Sequence, residues 1–584
     1  MTKILSILGK SAVVASLVAV GTQFTSCTNL DEDARTFLNP NNFYNTEADF
    51  QGSLNNAYYM ARLTITDRRS TFLPLEFHTE CAEPNYRKEQ PYLDNCNLWN
   101  DVNNVAYTYA NVWKNAYATI NDANIVIGRL QESSSVTGTV ADRLRGQALF
   151  LRAYSYYMLV RIYGGCPIRT DYTKGLDGAE APRNTADEVW KQIFDDLEAA
   201  AKLLPEKGTA GYDNWRVSQG ACYALLGDAY LYKATVQSPD GERGGNKDEL
   251  QKAKDYSKKV IDSGKYSLVP EYRNLWYYYN KNCKNGTESV FEFQFAHQDK
   301  QGWDLGVDGG LGNNTMMRDT LGNIFQGTYY NRGQASLYLY NMYDPADKRR
   351  ETLLTEFYCA VSGNLRHYVY DFKEEQFVVD KAWGKFDASK STNQNDPYWM
   401  PEGYAFHNVL FAKWIDNDTE SAAAKNTYPG INYTFLRYAD VLLNYAEAAN
   451  LLSAGDGLAQ LNLVHQRAGL PALAAMGQKE MDDAIINERI LEFAGEGKNY
   501  FTELRKGVLG DRVEEFIHVN YLKYQKNRKY TDNANSRERL RFSMEMQFIP
   551  KKSFLWKIPQ TNFNANKLLE QTPDNQPLRA PKYK

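Results

Sequence analysis

Between Val140 and Ile162 the residues Val140, Leu144, Ala148, Leu151, Tyr154, Met158 and Ile162 recur at steps of three or four, and the run stops at Gly164-Gly165-Cys166-Pro167. That period marks a helix with an apolar stripe, which has to bury a face against a neighbour. More helices surround it, in a succession running from about Val105 to Ala234. Thr185-Ala186-Asp187-Glu188 is a capping box, after which Trp190, Ile193, Phe194, Leu197 and Leu204 form an apolar face that Pro205 ends. A further helix follows Ser218, with Ala221, Leu225 and Tyr232 on one side. Helix pairs joined by short turns predict a mostly α, tetratricopeptide-like helix-pair stack, although no strict 34-residue period is visible.

The stretch from about Tyr266 to Trp414 breaks this pattern. It is rich in Gly and Asn and reads mainly as long loops, with one strand, Ser289 to Phe295, alternating at period two. Minor β-hairpin content is the most it suggests. Loops of this length in a compact protein are usually functional, so binding groups are expected there. Helices resume at Phe435 to Leu452 and at Asp482 to Lys506, and the chain closes in irregular sequence. The expected divisions are 1–26, 27–300, a loop-rich insertion at 301–430, and a helical part at 431–584.

Composition narrows the partners. With 67 Lys and Arg against 71 Asp and Glu the net charge is −4, leaving no cationic surplus for a phosphate backbone, so no nucleic-acid partner is expected. Aromatics are plentiful, with 42 Tyr, 26 Phe and 10 Trp. Such rings suit surfaces that are part apolar and part wet.

Residues 1–26 read as a targeting signal, with Lys3 and Lys10 preceding the apolar stretch Ala12 to Val20. Thr25-Ser26-Cys27 resembles a bacterial lipoprotein cleavage site, and Asp31-Glu32-Asp33 resembles a surface-export signal. Cys27 is thus the expected lipidation site, and loss of two lysines with the signal takes the charge from −4 to −6. No later stretch approaches the roughly 20 apolar residues of a membrane span. The remaining cysteines are too sparse for a disulfide scaffold; only Cys81 and Cys96 are close enough to suggest a local staple.

An ordered series of segments resembles the SusD/RagB family of outer-membrane nutrient-binding lipoproteins of Bacteroidetes. The segments are Asn45 to Phe50, Trp113 to Tyr117, Arg145 to Tyr154, Arg161 to Pro167, Arg437 to Ala448, Asn487-Glu488-Arg489 through Glu496-Gly497, and Leu555 to Pro559. The one departure is Thr502-Glu503-Leu504-Arg505-Lys506, where the family usually ends in Asp-Leu-Arg-Arg. The resemblance implies a cell-surface, lipid-anchored protein in the outer membrane. It would capture an oligo- or polysaccharide and deliver it to a SusC-like TonB-dependent transporter, with no cofactor and no catalysis.

A neutral glycan needs flat rings to stack on and amides or carboxylates for its hydroxyls. Trp99, flanked by Asn97 and Asn100, and Trp303, followed by Asp304, sit in loops where no helical or strand pattern demands a Trp. With Tyr329 or Tyr330 they are the expected ligand-binding residues, and the family resemblance points to the same two regions. The bland alternative is that these rings plug loops onto the frame. Trp113, Trp190 and Trp215 are expected in the core.

Other clusters favour structure over chemistry. Arg437, Asp440, Asn444 and Glu447 share a helical face and read as ion pairs that orient it. Glu488, Glu492 and Glu496 share another, expected to be neutralised by Arg489, Lys498 and Arg505. Carboxylates on one helix cannot flank a sugar from two sides. No histidine lies in a metal-binding motif, and Asp416 to Glu420 lacks the Gly of a calcium loop, so no metal is expected. The competing functions are a surface glycoside hydrolase using loop carboxylates such as Asp304 and Glu80, and a peptide-binding or scaffold protein.

Overall fold

The structure, a computed structural model, describes residues 43–66, 71–84, 109–173, 175, 180–236, 245–276, 283–295, 333–354, 356–361, 364–371, 376–383, 409–411, 413, 432–453, 455–526 and 555–573. Its frame is a stack of helices: α1 (Glu47–Thr66), α2 (Ala110–Glu132), α3 (Gly138–Tyr163), α4 (Ala186–Leu203), α5 (Gln219–Thr235) and α6 (Lys247–Asp262). Each packs on the next. Packing of each helix on its neighbour in sequence is the arrangement expected of a tetratricopeptide-like stack, although only α2 and α3 are joined by a short turn.

The local signals work as expected. Thr185 accepts from the Glu188 amide while the Glu188 carboxylate accepts from the Thr185 amide at 2.8 Å, a complete capping box. Ser218 caps α5 by accepting from the Ala221 amide. The α3 helix exceeds its predicted stripe, since from Gly146 to Tyr163 every residue is buried, as befits a helix surrounded on all sides. Arg152 is tolerated there because Asp196 of α4 takes its guanidinium in two hydrogen bonds of 2.7 and 2.8 Å, and Asn124 of α2 accepts a third at 2.7 Å. One buried side chain thus ties three helices.

After α6 the chain leaves the stack and returns to it as α7 (Tyr438–Leu452), which packs directly on α6. The helices α8 (Leu458–Arg467), α9 (Gln478–Phe493), α10 (Asn499–Lys506) and α11 (Leu509–Lys526) complete the body. The intervening insertion contains more strand than its composition suggests. Strands β2 (Glu356–Val361), β3 (Asn364–Asp371) and β4 (Gln376–Trp383) form an antiparallel meander, preceded by β1 (Ser289–Phe293), which pairs with β5 (Tyr433–Arg437).

Three expectations are corrected. The chain from Phe435 to Arg437 is strand, not helix, because it pairs with β1, and the helix begins at Tyr438 with the Asp440 carboxylate accepting from the Arg437 amide at 2.9 Å. The predicted helix at Asp482 to Lys506 is two helices, interrupted where Gly495 and Gly497 adopt φ of +76° and +73°. Period-two alternation in β1 does not separate wet from dry, since Val290 to Phe293 are all buried. Glu292 survives there because it accepts hydrogen bonds from Asn432 and Thr434. Cys81 is a free, buried thiol, and Cys96, suggested as its partner, lies outside the described residues.

The β1–β5 ribbon lies against α3 through aromatic edges, with Phe150 to Phe291 at 4.9 Å and Tyr154 to Phe435 at 4.9 Å between centroids. Close approach also fixes the α7–α8 corner. Gly457, at φ +85°, would place a Cβ 2.6 Å from the Ala446 Cα. Gly457→Ala is expected to lower stability by roughly 2 kcal/mol or more. Gly52→Ala, on open helix surface, should be neutral or stabilising by about 0.5 to 1 kcal/mol. Urea denaturation of both variants checks the contrast.

Candidate functional site

The expected ligand-binding residues Asn97, Trp99, Asn100, Trp303, Asp304 and Tyr329, together with the lipidation residue Cys27, lie outside the described residues, as do Cys96 and the 416–420 segment. What the structure describes is where the segments carrying the expected ligand-binding residues are rooted. Ala82–Pro84 pairs antiparallel with Gly333–Ala335, and Pro84 is the cross-strand partner of Gly333. Segment 85–108, which carries Trp99, departs from Pro84, and segment 296–332, which carries Trp303 and Tyr329, arrives at Gly333. The two meet at one rung.

Their other ends are pinned as well. Tyr109 closes the first segment: its hydroxyl is 2.9 Å from His78 Nδ1, and its carbonyl accepts from the Tyr163 hydroxyl. The imidazole of His78 stacks on Trp556 with centroids 4.8 Å apart. At the start of the second segment the Phe295 amide donates to Asn432 Oδ1 at 2.8 Å, so that this root joins the return point of segment 414–431.

Beneath the roots runs a row of buried carboxylates on and just beyond α9. Glu488 and Glu492 take Arg349 at 2.6 and 3.0 Å, and Glu496 takes Lys413 at 2.9 Å. Arg437 bridges Glu288, Glu492 and Glu496 at 2.9, 2.5 and 2.9 Å, while Arg467 pairs with Glu288 and Glu492. The expected neutralising cations are therefore corrected. Arg489 and Arg505 bond Glu447 on α7 instead, and of the three only Lys498 reaches the row, at 3.5 Å from Glu496. The Arg437 to Glu447 face does orient its helix, as expected: Asp440 pairs with Lys498, and Asn444 accepts from Arg489.

Electrostatics follow from this crowding. Burial alone would raise these acids, but the surrounding Arg467, Arg437 and Arg349 hold Glu492 well below the usual carboxylate range, and Arg437, Lys413 and Lys498 hold Glu496 at about 2. Burial lowers Lys413 to about 8 against the pull of Glu496. Glu76 behaves oppositely. Burial raises it to about 7, although it accepts hydrogen bonds from the Gly495 and Gly497 amides that shape the α9–α10 break.

Glu80, considered as a catalytic carboxylate, is fully buried and bonded to Arg512 at 2.6 Å. Ligand atoms of Glu80, Cys81 and Glu503 lie within 4.8 Å of one another. Burial and the Glu80 carboxylate raise Glu503 well above the ordinary range, so a proton retained on Glu503 stabilises the group. Trp113 and Trp190 are buried as expected; Trp276, whose place the sequence leaves open, is buried too, with its ring centroid 4.7 Å from Lys413 Nζ. Trp215 is the exception. It stands in a turn before α5 and is 66% exposed. Its flanking Asp213, Asn214 and Arg216 carried the same amide-and-turn signal that singled out Trp99.

The helical frame and its strand-containing insertion define a protein of helical-repeat construction. Residues 274–574 match the SusD family, and residues 36–231 match the family described as starch-binding associating with outer membrane; the chain belongs to the SusD family. It is 26% identical over 530 residues to SusD-like protein P2 of Formosa agariphila, covering 86% of this chain and 90% of that protein. Among solved structures, surface glycan-binding protein A from Bacteroides uniformis superposes with a TM-score of 0.64 at 22% identity, over 90% of this chain and 99% of the other. A structure solved with xylogluco-oligosaccharide superposes with a TM-score of 0.59 at 20% identity, over 81% and 85%.

Two measurements test the buried row. Glu492→Gln removes one partner from three guanidinium groups and is expected to cost about 3 to 5 kcal/mol, whereas Lys191→Ala at an exposed pair should change stability by less than about 0.5 kcal/mol. Glu76 sets a pH signature. Its folded value of about 7 lies above the ordinary 4.5, so the stability it contributes is lost as pH rises through 7. Glu76→Gln should flatten that decline in denaturation midpoints between about pH 5 and 8. Glu496 has the opposite sign: its contribution is present above 4.5 and lost as pH falls toward 2.

Proposed function

We propose that this protein is a lipid-anchored, cell-surface glycan-binding protein that captures oligo- or polysaccharide and delivers it to a SusC-like TonB-dependent transporter, without catalysis. The observation that carries this reading is the shared rung Pro84–Gly333. It roots the Trp99 segment and the Trp303–Tyr329 segment side by side on a rigid frame, so rings from both can serve one saccharide chain. Asn97, Asn100 and Asp304 then supply hydrogen-bond partners for the hydroxyls, and Cys27 carries the acyl chains. Membership in the SusD family and the saccharide-binding names of its structural neighbours support the ligand class. The division into signal, N-terminal part, loop-rich insertion and C-terminal helical part belongs to the same proposal.

The hydrolase reading is weakened by the position of Glu80, whose burial and pairing with Arg512 keep it from any sugar. Affinity electrophoresis against a polysaccharide panel tests the proposal. Wild-type protein is expected to be retarded by at least one polysaccharide, and Trp99→Ala or Trp303→Ala to bind about 5- to 100-fold more weakly, the loss of about 1 to 3 kcal/mol of stacking per ring. Unretarded migration in every gel would favour a peptide-binding or scaffold role, and new reducing ends would favour a hydrolase. Cys27→Ser should abolish incorporation of labelled palmitate.

A further inference from the structure

Trp215 faces solvent, and the turn that carries it is held by hydrogen bonds. Its amide donates to Asp213 Oδ1 at 2.9 Å, and the same loop is fastened to the β1 ribbon by Lys207, whose ammonium donates to the carbonyls of Gly286 and Ser289 at 2.9 Å each. Holding a large indole in water on an ordered loop forgoes the burial that its area would gain, and a ligand covering it would recover that burial.

The indole borders an open groove of about 250 Å³ whose other walls include Tyr58, Tyr59, Asn55, Arg216 and Gln294. Its volume suits a sugar unit better than a drug-sized ligand. The charged groups here are already committed. Arg216 lies 4.8 Å over the Tyr58 ring and donates to Asn55 Oδ1, Arg62 lies 5.1 Å over Tyr59 and 4.6 Å over Phe295 and donates to the Gln294 carbonyl, and Glu292 accepts from Asn432 and Thr434. The Tyr58 hydroxyl and the Gln294 amide are bonded within the protein as well, so what faces outward is the indole of Trp215 beside the exposed Asn55 amide. That pairing suits the C–H face and a hydroxyl of a neutral sugar better than an anion or an apolar helix.

We infer that the Trp215 groove is a second saccharide-binding subsite, in which the indole stacks on a neutral sugar ring of the same captured chain. The inference rests on the proposed glycan-binding function and adds to it a site on the α4–α5 corner of the helical stack, apart in sequence from the Trp99 and Trp303 segments. Such a site lengthens the contact with a polymer and raises apparent affinity for long chains more than for short ones.

The test compares wild type, Trp215→Ala and Trp215→Phe for binding to a polysaccharide that retards the wild type and to a short oligosaccharide cut from it, with circular dichroism confirming the fold. Trp215→Ala should bind the polysaccharide at least about fivefold more weakly. Trp215→Phe should recover most of the loss, and the short oligosaccharide should be affected less. Equal polysaccharide binding by wild type and Trp215→Ala overturns the subsite while leaving glycan capture intact. Unchanged binding together with lost co-purification of the transporter also overturns it and assigns the face to a protein partner. A wild type that binds no polysaccharide brings down the function and the subsite together.

Discussion

Three carboxylates spaced four residues apart on and just beyond α9, Glu488, Glu492 and Glu496, tie the C-terminal helices to the insertion. Most of the cations they bind come from elsewhere in the chain, Arg349 and Lys413 from the insertion, Arg437 from the end of β5 and Arg467 from α8, with Lys498 the near neighbour at 3.5 Å from Glu496. Removing so many charges from water is expensive, and the arrangement is tolerable only because nearly every lone pair and proton finds a partner at 2.5 to 3.2 Å. A hydrophobic core of the same volume would stabilise the fold at least as well. What the charges add is direction, since each pair is satisfied in only one placement of the insertion.

That placement connects frame to function. The insertion's roots are held by the carboxylate row, by Asn432, and by the short ribbon at Pro84 and Gly333. Segments rooted in this way leave the packing of the helices independent of what they carry between their roots. In the proposed function the rings of Trp99, Trp303 and Tyr329 belong to those segments, and the Glu492 network to the frame that holds their roots.

The helices α3, α4 and α5 were readable because their signals are local: a stripe of period near 3.6, a capping box at Thr185, a cap at Ser218. Features that depend on distant partners were not. Phe435 to Arg437 continue smoothly into helical sequence, and only pairing with Ser289 to Phe293 makes them strand. The break after Phe493 had a local sign in Gly495 and Gly497, but the Glu76 carboxylate that receives their amides lies far upstream. The partners of Glu488, Glu492 and Glu496 were sought nearby in sequence, whereas tertiary packing supplied most of them from other segments. Trp215 was assigned to the core by proximity to a helix, although the Asp-Asn-Trp-Arg turn around it already spoke for exposure. The predicted ring residues lie beyond the described part, so the geometry bears on them only through their roots.

The direct packing of α7 on α6, with the whole insertion threaded between them, has a consequence for biogenesis. Synthesis delivers α1 to α6 first, and these can assemble neighbour by neighbour at low contact order. The apolar face of α6, with Leu250, Ala253 and Val260, is covered by α5 at that stage. The side that meets α7 carries Lys254, facing the Tyr445 ring, and the half-buried Ile261, and it waits until more than a quarter of the polypeptide has followed. During that interval the half-made solenoid turns a largely charged end to water, so the stack can pause there without offering an apolar surface for aggregation.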